Sequence, residues 1–272
     1  MKKIVIFLFV SRPLFAAFEF SLLGINGNGL AGRALATDRI FSAFRLNPAV
    51  SSALSHHNFD VQYSRPFSLS EVNFASISGN IITPYAGAGL IFTTLGTEIY
   101  QEDQFVFNLS HAWFHRKFFS GVNIHWYSVR AEGYEVLNTL GIDIGLQYQI
   151  YPSLLVGFSL MNFNRPTVYQ QRQELPLVVS WGMQLRVSNQ FVSYLCLQKD
   201  SWFAANVRFG FDFLVNSFFE IQSGMNSYPA TPSLGLSIKP KWISVHYSCE
   251  YNFDLGMTHF WGVSWSKKAA HD

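Results

Sequence analysis

The sequence predicts an all-β protein, a transmembrane antiparallel β-barrel of about fourteen strands, and three observations carry that reading. The 272 residues are 49% hydrophobic and 17% aromatic but only 13% charged, about half the charge of an average soluble domain. Mean hydropathy is only +0.14, and no stretch of the body approaches the roughly 20 consecutive apolar residues of a spanning helix. From about residue 57 onward, apolar residues alternate singly with polar ones, which is the period of strands with two unlike faces. Such a chain is too apolar for a soluble domain and too interrupted for a helical membrane protein. A closed barrel reconciles the two, because its strands satisfy one another's backbone groups within lipid. A soluble β-sandwich is the rival architecture, but its water-facing positions usually carry many lysines and glutamates, which are scarce here.

At the N-terminus, Met1-Lys2-Lys3 precedes the apolar core IVIFLFV, and small residues stand at Ala16 and Ala17. This is the layout of a secretory signal, assigned to residues 1–17. Phe15 or Leu14 occupies the place where a small residue is preferred, and no cysteine follows that would direct lipoprotein processing. The alternative, an uncleaved anchor, is disfavoured because the core is too short to span a bilayer. Removal leaves 255 residues (272 − 17) to fold. Next, Gly-Asn-Gly-Leu-Ala-Gly at 27–32 formally matches the dinucleotide fingerprint, and 30–44 reads as a helix. The fingerprint requires a βαβ unit, and no alternating helices follow, so no cofactor is expected.

The strands fall near 57–67, 71–79, 85–95, 103–116, 118–130, 138–150, 153–163, 174–188, 190–198, 203–214, 217–225, 231–239, 241–253 and 257–265. Their number is even, as in single-chain bacterial barrels. In 138–150, Leu140, Ile142, Ile144, Leu146 and Tyr148 share one face, while Gly141, Asp143, Gly145 and Gln147 share the other. The polar faces are mostly Gly, Ser, Asn and Gln, which suits a narrow, partly filled lumen rather than bulk water. Arg116-Lys117, Tyr151-Pro152, Ser188-Asn189, Asn216-Ser217 and Pro240-Lys241 mark short turns, and 96–102, 131–137, 164–173 and 226–230 mark longer links. Short and long links roughly alternate, as periplasmic turns and external loops do; Lys199-Asp200 is a short exception. Trp113, Trp126, Trp202, Trp242, Trp261 and Trp265 are expected mostly near strand ends, where aromatic girdles lie.

Chemical motifs are sparse. With net charge +2 and no basic run beyond two residues, the chain has no footprint for nucleic acid. Cys196 and Cys249 form neither a disulfide framework nor a metal motif, and one bridge or two thiols both fit. His56, His57, His111, His115 and His125 invite a metal, yet strand residues four apart are separated by roughly 13 Å, so none is expected. His246 and Ser248 share a face with Glu250 and Asn252, a spacing like that of the base and nucleophile of outer-membrane phospholipase A. In that enzyme the pair faces outward and Asn-Gly follows the serine; here it lies on the polar face without that sequence. No catalytic residue is assigned, and no enzymatic activity is expected. Asp143, Arg186, Arg208 and Asp212 would be costly against lipid. Together with His125, His246 and Glu250 they are candidate lumen-lining residues; Arg208 and Asp212, four apart, are expected to pair with neighbours rather than each other.

The N-terminal stretch FEFSLLGINGNGLAGRALATDRIFSAFRLNPAV resembles the start of the FadL-like outer-membrane barrels, and most closely their PorV/PorQ branch. In that branch a phenylalanine-rich opening leads to a Gly/Ala/Arg stretch, here Gly29 to Ala36, then a short helical stretch and Asn47-Pro48-Ala49. SLLVGFSLMNFNRP (153–166), ELPLVVSWGMQL (174–185) and FDLGMTHFWGVSW (253–265) also resemble the family. Arg45-Leu46 before the motif and Val50 after it depart from the pattern. The resemblance implies an N-terminal helical or loop plug over 18–56, a barrel over 57–266 and a short tail, 267–272. Asn47, Pro48 and Ala49 would form the turn by which the plug leaves the lumen, since Pro48 fixes φ and removes a donor. It further implies the outer membrane of a Gram-negative bacterium and an accessory or substrate-engaging role in type IX protein secretion, with secretion components or exported proteins as partners. FadL-like passage of a hydrophobic small molecule is the alternative, and an outer-membrane hydrolase a minor one. Small lumen positions at Gly87, Gly89, Gly141, Gly145, Gly182 and Gly210 leave space for plug or ligand. A lumen lined by amides rather than rings of charge argues against a general ion-conducting porin.

Overall fold

The computed structural model describes residues 18, 34–168 and 173–269. Among them, fourteen strands close an antiparallel barrel. These are β1 (His56–Arg65), β2 (Asn73–Ile82), β3 (Ala86–Gly96), β4 (Tyr100–Trp113), β5 (Phe118–Ala131), β6 (Leu137–Tyr151) and β7 (Leu154–Met161), followed by β10 (Val178–Arg186), β11 (Phe191–Asp200), β12 (Asn206–Leu214), β13 (Phe219–Ser227), β14 (Ala230–Ile238), β15 (Ile243–Asn252) and β16 (Gly256–Lys268). β8 (Thr167–Val168) and β9 (Gln173–Glu174) form a separate two-stranded ribbon between β7 and β10. Each of the fourteen pairs with the next of the fourteen along the chain, β7 with β10 across the ribbon, and β1 closes on β16 with Asp60 opposite Ser264 and Tyr63 opposite Trp261.

Each of the fourteen expected strands overlaps one of these, but three local expectations fail. The link expected at 226–230 is only Tyr228-Pro229, and Lys199-Asp200 belongs to β11, with its link at 201–205. The helix expected over 30–44 is absent from its described part. Only Phe41–Arg45 makes a 3-10 turn, followed after the Asn47 motif by α1 (Val50–Ala53). Thr37 explains the failure, because its hydroxyl accepts from the Arg39 and Ile40 amides at 3.1 and 3.3 Å. That local turn competes with helical pairing. The glycine motif at 27–32 and the leader at 1–17 lie outside the described residues.

The two ends of the barrel differ. At one, the six links 83–85, 114–117, 152–153, 187–190, 215–218 and 239–242 span at most four residues, and the first and last strands begin and end there. At the other, links include 66–72 and 162–177. Tryptophans do not all sit at strand ends: Trp113 and Trp242 lie at the short-link end and Trp202 at the other, while Trp126, Trp181 and Trp261 lie within strands.

Burial is inverted relative to a protein in water. Along β4, Phe105, Phe107 and Leu109 point outward and are exposed, whereas Gln104, Asn108 and Ser110 point inward and are buried. The same alternation puts Asn123 and His125 of β5, Asp143 and Gln147 of β6 and Ser159 of β7 inside. An apolar belt running round all the strands exceeds by far what a water-facing surface carries, and hydrocarbon is the solvent that suits it. No helix among the described residues is long and apolar enough to cross a membrane, and the apolar belt lies on the strands.

The core lies inside the barrel and is built by the N-terminal segment. Leu35, Ile40, Phe44, Leu46, Val50 and Leu54 pack with Ile82, Ile91, Val106 and Val192 from the inner wall. The segment fits because the wall offers glycines to it. A Cβ on Gly145 would stand 2.1 Å from Asn47 Oδ1, one on Gly121 2.4 Å from the Pro48 carbonyl oxygen, and one on Gly89 2.8 Å from the Phe44 ring.

Candidate functional site

Working from the short-link end upward, the lumen is first stoppered, then crossed by a polar network, then opened as a cavity. The stopper turns at the Asn47 motif. Asn47 Nδ2 donates to the carbonyls of Leu35 and Leu146, each at 3.0 Å, and its Oδ1 accepts from the Ala49 amide at 3.1 Å. One side chain thus closes its own turn and ties the segment to β6. The Pro48 carbonyl accepts from Asn108 Nδ2 at 3.0 Å, and Ser159 Oγ donates to the Leu46 carbonyl at 2.7 Å. Arg45, fully buried, reaches Ser76 at 3.4 Å and also bonds Thr93.

A charged clasp holds the same segment to the opposite wall. Asp38 accepts from Arg186 at 2.8 Å and from Gln184 at 2.9 Å. Arg39 stands 3.6 Å from Asp212 and 3.7 Å from Glu220, and Lys239 completes the cluster on Glu220. Arg186 and Asp212, two of the candidate lumen residues, are therefore partners of the segment. Asp212 pairs with Arg39 and not with Arg208.

Above the stopper, His125 and Asp143 meet across β5 and β6, both fully buried. Gln104 Nε2 lies 2.8 Å from His125 Nδ1, so the tautomer that satisfies both partners donates from Nε2 to Asp143. The other carboxylate oxygen accepts from the Asn162 amide at 2.8 Å, and Tyr127 donates to Asn162 Oδ1 at 3.0 Å. Tyr127 also stacks on His125, with centroids 5.4 Å apart and planes 9° apart. The network contains no Ser or Cys nucleophile, and its Tyr127 and Asn162 form part of a cavity floor.

That floor supports a cavity of about 640 Å³ at the long-link end. Phe67, Tyr127, Met161, Leu175, Val178 and Trp202 supply much of its apolar lining, and Asn162, Asp200, Arg208 and Glu250 are among its polar members. Arg208, Asp200 and Glu250 share the lining of this cavity, and Arg208 Nε makes no hydrogen bond. Of the expected lumen residues, Arg208 and Glu250 line this cavity, while His125 and Asp143 lie beneath it. His246 stands apart from them, toward the short-link end. Its ring nitrogens lie 2.8 Å from Ser237 Oγ and 2.7 Å from Ser264 Oγ, so both are engaged across strands and neither by Ser248.

Several residues that matter were not singled out from the sequence. Asp38 and Arg39 were legible as an adjacent charged pair in an apolar segment, and Glu220 from its inward phase beside Gln222. Glu102 and Tyr127, inward on β4 and β5, carried no comparable signal. Cys196 and Cys249 are both free thiols, Cys196 buried. Among the described residues, no group of three or more His, Cys, Asp or Glu side chains clusters as a metal site would.

No family model and no curated protein matches the chain. Solved structures do. A Pseudomonas aeruginosa FadL homologue aligns with a TM-score of 0.62 at 10% identity, covering 90% of this chain and 98% of its own. The Pseudomonas putida toluene transporter TodX aligns at 0.61 and 9% identity, covering 88% of this chain and 97% of its own. A deltaS2 mutant of TodX, named a monoaromatic hydrocarbon channel, aligns at 0.58 and 10% identity over 84% and 94%. At such identities the likeness concerns architecture: the chain has the closed-barrel fold of these FadL-type proteins.

Proposed function

We propose that the protein is a non-enzymatic barrel of a Gram-negative outer membrane that admits an apolar small molecule at its long-link end. The cavity over the His125–Asp143 floor carries this reading: its volume is that of a small-molecule site, and its aromatic and aliphatic walls with a few polar groups are the usual lining. Its shape neighbours add support, since the printed names of two concern toluene and monoaromatic hydrocarbons. The stopper argues against free ion flow, because Asn47, Pro48 and Phe44 fill the inward glycine positions. The PorV/PorQ assignment and its secretion role rest on the sequence motifs alone.

Binding of N-phenyl-1-naphthylamine to the detergent-purified barrel, followed by fluorescence, tests the proposal. The wild-type protein is expected to bind it saturably. Leu175→Arg, which sets a guanidinium in the apolar wall, weakens binding at least about tenfold, roughly 1.4 kcal/mol. Heat-dependent gel mobility confirms that the variant barrel is closed. No saturable binding by the wild-type, or equal binding by a closed Leu175→Arg barrel, contradicts the proposal.

A further inference from the structure

Glu102 projects inward from β4 and is only 6% exposed. Its Oε2 accepts from the backbone nitrogen of Phe18 at 2.7 Å, and its Oε1 from the Tyr100 hydroxyl at 2.7 Å. The Phe18 ring lies against Tyr127, with centroids 4.7 Å apart, and packs with Leu175 beside Val129 and Leu137. Phe18 itself is 7% exposed. It thus has two anchors, a carboxylate on its nitrogen and an aromatic pocket on its ring. Its φ is +63°, a left-handed value that a bulky residue rarely adopts.

One event gives both features a purpose. The sequence assigns the leader to residues 1–17, so leader removal would make Phe18 the first residue. Hydrolysis of the Ala17–Phe18 peptide bond by a leader peptidase puts the hydroxyl of water on the Ala17 carbonyl carbon and its proton on the Phe18 nitrogen. The bond to Ala17 breaks, and the φ torsion of Phe18 ceases to exist. The nitrogen becomes an amine whose ordinary pKa is about 7.7–8.0, so it is mostly ammonium at neutral pH. The separation of 2.7 Å already suits an ammonium–carboxylate hydrogen bond. An ammonium there adds a charge to the hydrogen bond that Glu102 already accepts from this nitrogen.

We propose that Glu102, with Tyr127 and Leu175, forms a binding site inside the barrel for the chain's own processed N-terminus, an α-ammonium on an aromatic residue. Processing then completes the lumen: the charge that docks the N-terminus exists only after the leader has gone. Phe18, Tyr127 and Leu175 also line the cavity, so the docked N-terminus forms part of its wall, and the reactivity of the α-amine reports the docking whether or not the cavity binds a ligand.

The test uses the mature barrel purified from outer membranes. Intact mass and N-terminal sequencing should show a chain beginning at Phe18. Reductive methylation of amines at near-neutral pH should modify this α-amine at least about tenfold more slowly in the native barrel than in the heat-unfolded one, as protection by a closed site requires. Glu102→Gln should restore most of that rate while exposed lysines react unchanged. A chain starting elsewhere, a native α-amine as reactive as the unfolded one, or undiminished protection in a closed Glu102→Gln barrel overturns the proposal. The native-against-unfolded comparison needs no variant, so it decides the matter even if Glu102→Gln fails to fold.

Discussion

Gly145 makes room for the turn of the stopper. Its missing Cβ is the space that Asn47 Oδ1 and Pro48 Cδ occupy, at 2.1 and 2.6 Å from where that carbon would stand. Neither neighbour is the loose end of a flexible chain, because Asn47 is held through both of its side-chain polar atoms. Gly145→Val therefore either displaces the stopper or strains the wall, and is expected to cost about 1–3 kcal/mol, toward the upper end. A lower midpoint for loss of the closed-barrel gel mobility on heating would show it. Gly79→Ala is the contrast: its Cβ would meet only ordinary contacts at 3.5 and 3.7 Å, so its midpoint should stay within about 0.5 kcal/mol of wild-type. Gly87, Gly89, Gly145 and Gly182 were legible in the sequence as small lumen positions. What fills them was not, because the fillers Ser51, Phe44, Asn47 and Leu35 lie far away in the chain. Gly121 and Gly157 belong to the same set, and only the position of Pro48 and Asn47 shows it.

At the scale of elements, the N-terminal segment and the wall are joined by charge as well as by fit. Arg39 faces the buried carboxylates of Asp212 and Glu220, and Lys239 serves Glu220 from the far side. Arg39→Gln leaves Asp212 buried without its cation, a loss of about 2–3 kcal/mol, below the usual 3–5 because Arg39 is itself partly exposed. Adding Asp212→Asn should recover part of that loss, and a double-mutant cycle on the heating midpoint measures the recovery. Equal midpoints for wild-type and Arg39→Gln would show that the Arg39 pairs contribute nothing. The strands themselves were readable because period two is a local property, set by which face each residue presents. Their ends were not, since the Tyr228-Pro229 turn and the extension of β11 to Asp200 depend on cross-strand partners. The expected helix over 30–44 failed for a related reason. Thr37 turns the chain on itself, and Gln147 bonds its amide and carbonyl at 3.0 and 3.2 Å, a partner about a hundred residues away that no local pattern reveals.

For the whole molecule, a low charge content and an inverted burial pattern are one fact seen twice. Apolar residues are dealt singly to the outside, so no sequence window resembles a membrane segment, while the barrel as a whole wears a continuous apolar belt. A charge on that belt at mid-height should be expensive: Phe107→Arg is expected to cost about 2–4 kcal/mol when folding into phospholipid vesicles is titrated with urea. A change near zero would mean that this face does not meet hydrocarbon. Inside, the stopper lies toward the short-link end and a cavity lies at the long-link end, where the proposed ligand would sit. The most direct measurement is native mass spectrometry of the barrel extracted from outer membranes in mild detergent. A one-to-one adduct of an apolar small molecule is expected, displaced by added N-phenyl-1-naphthylamine and absent from Leu175→Arg. A barrel that carries no small molecule and leaves the membrane bound in fixed ratio to protein-secretion components would contradict the proposed function.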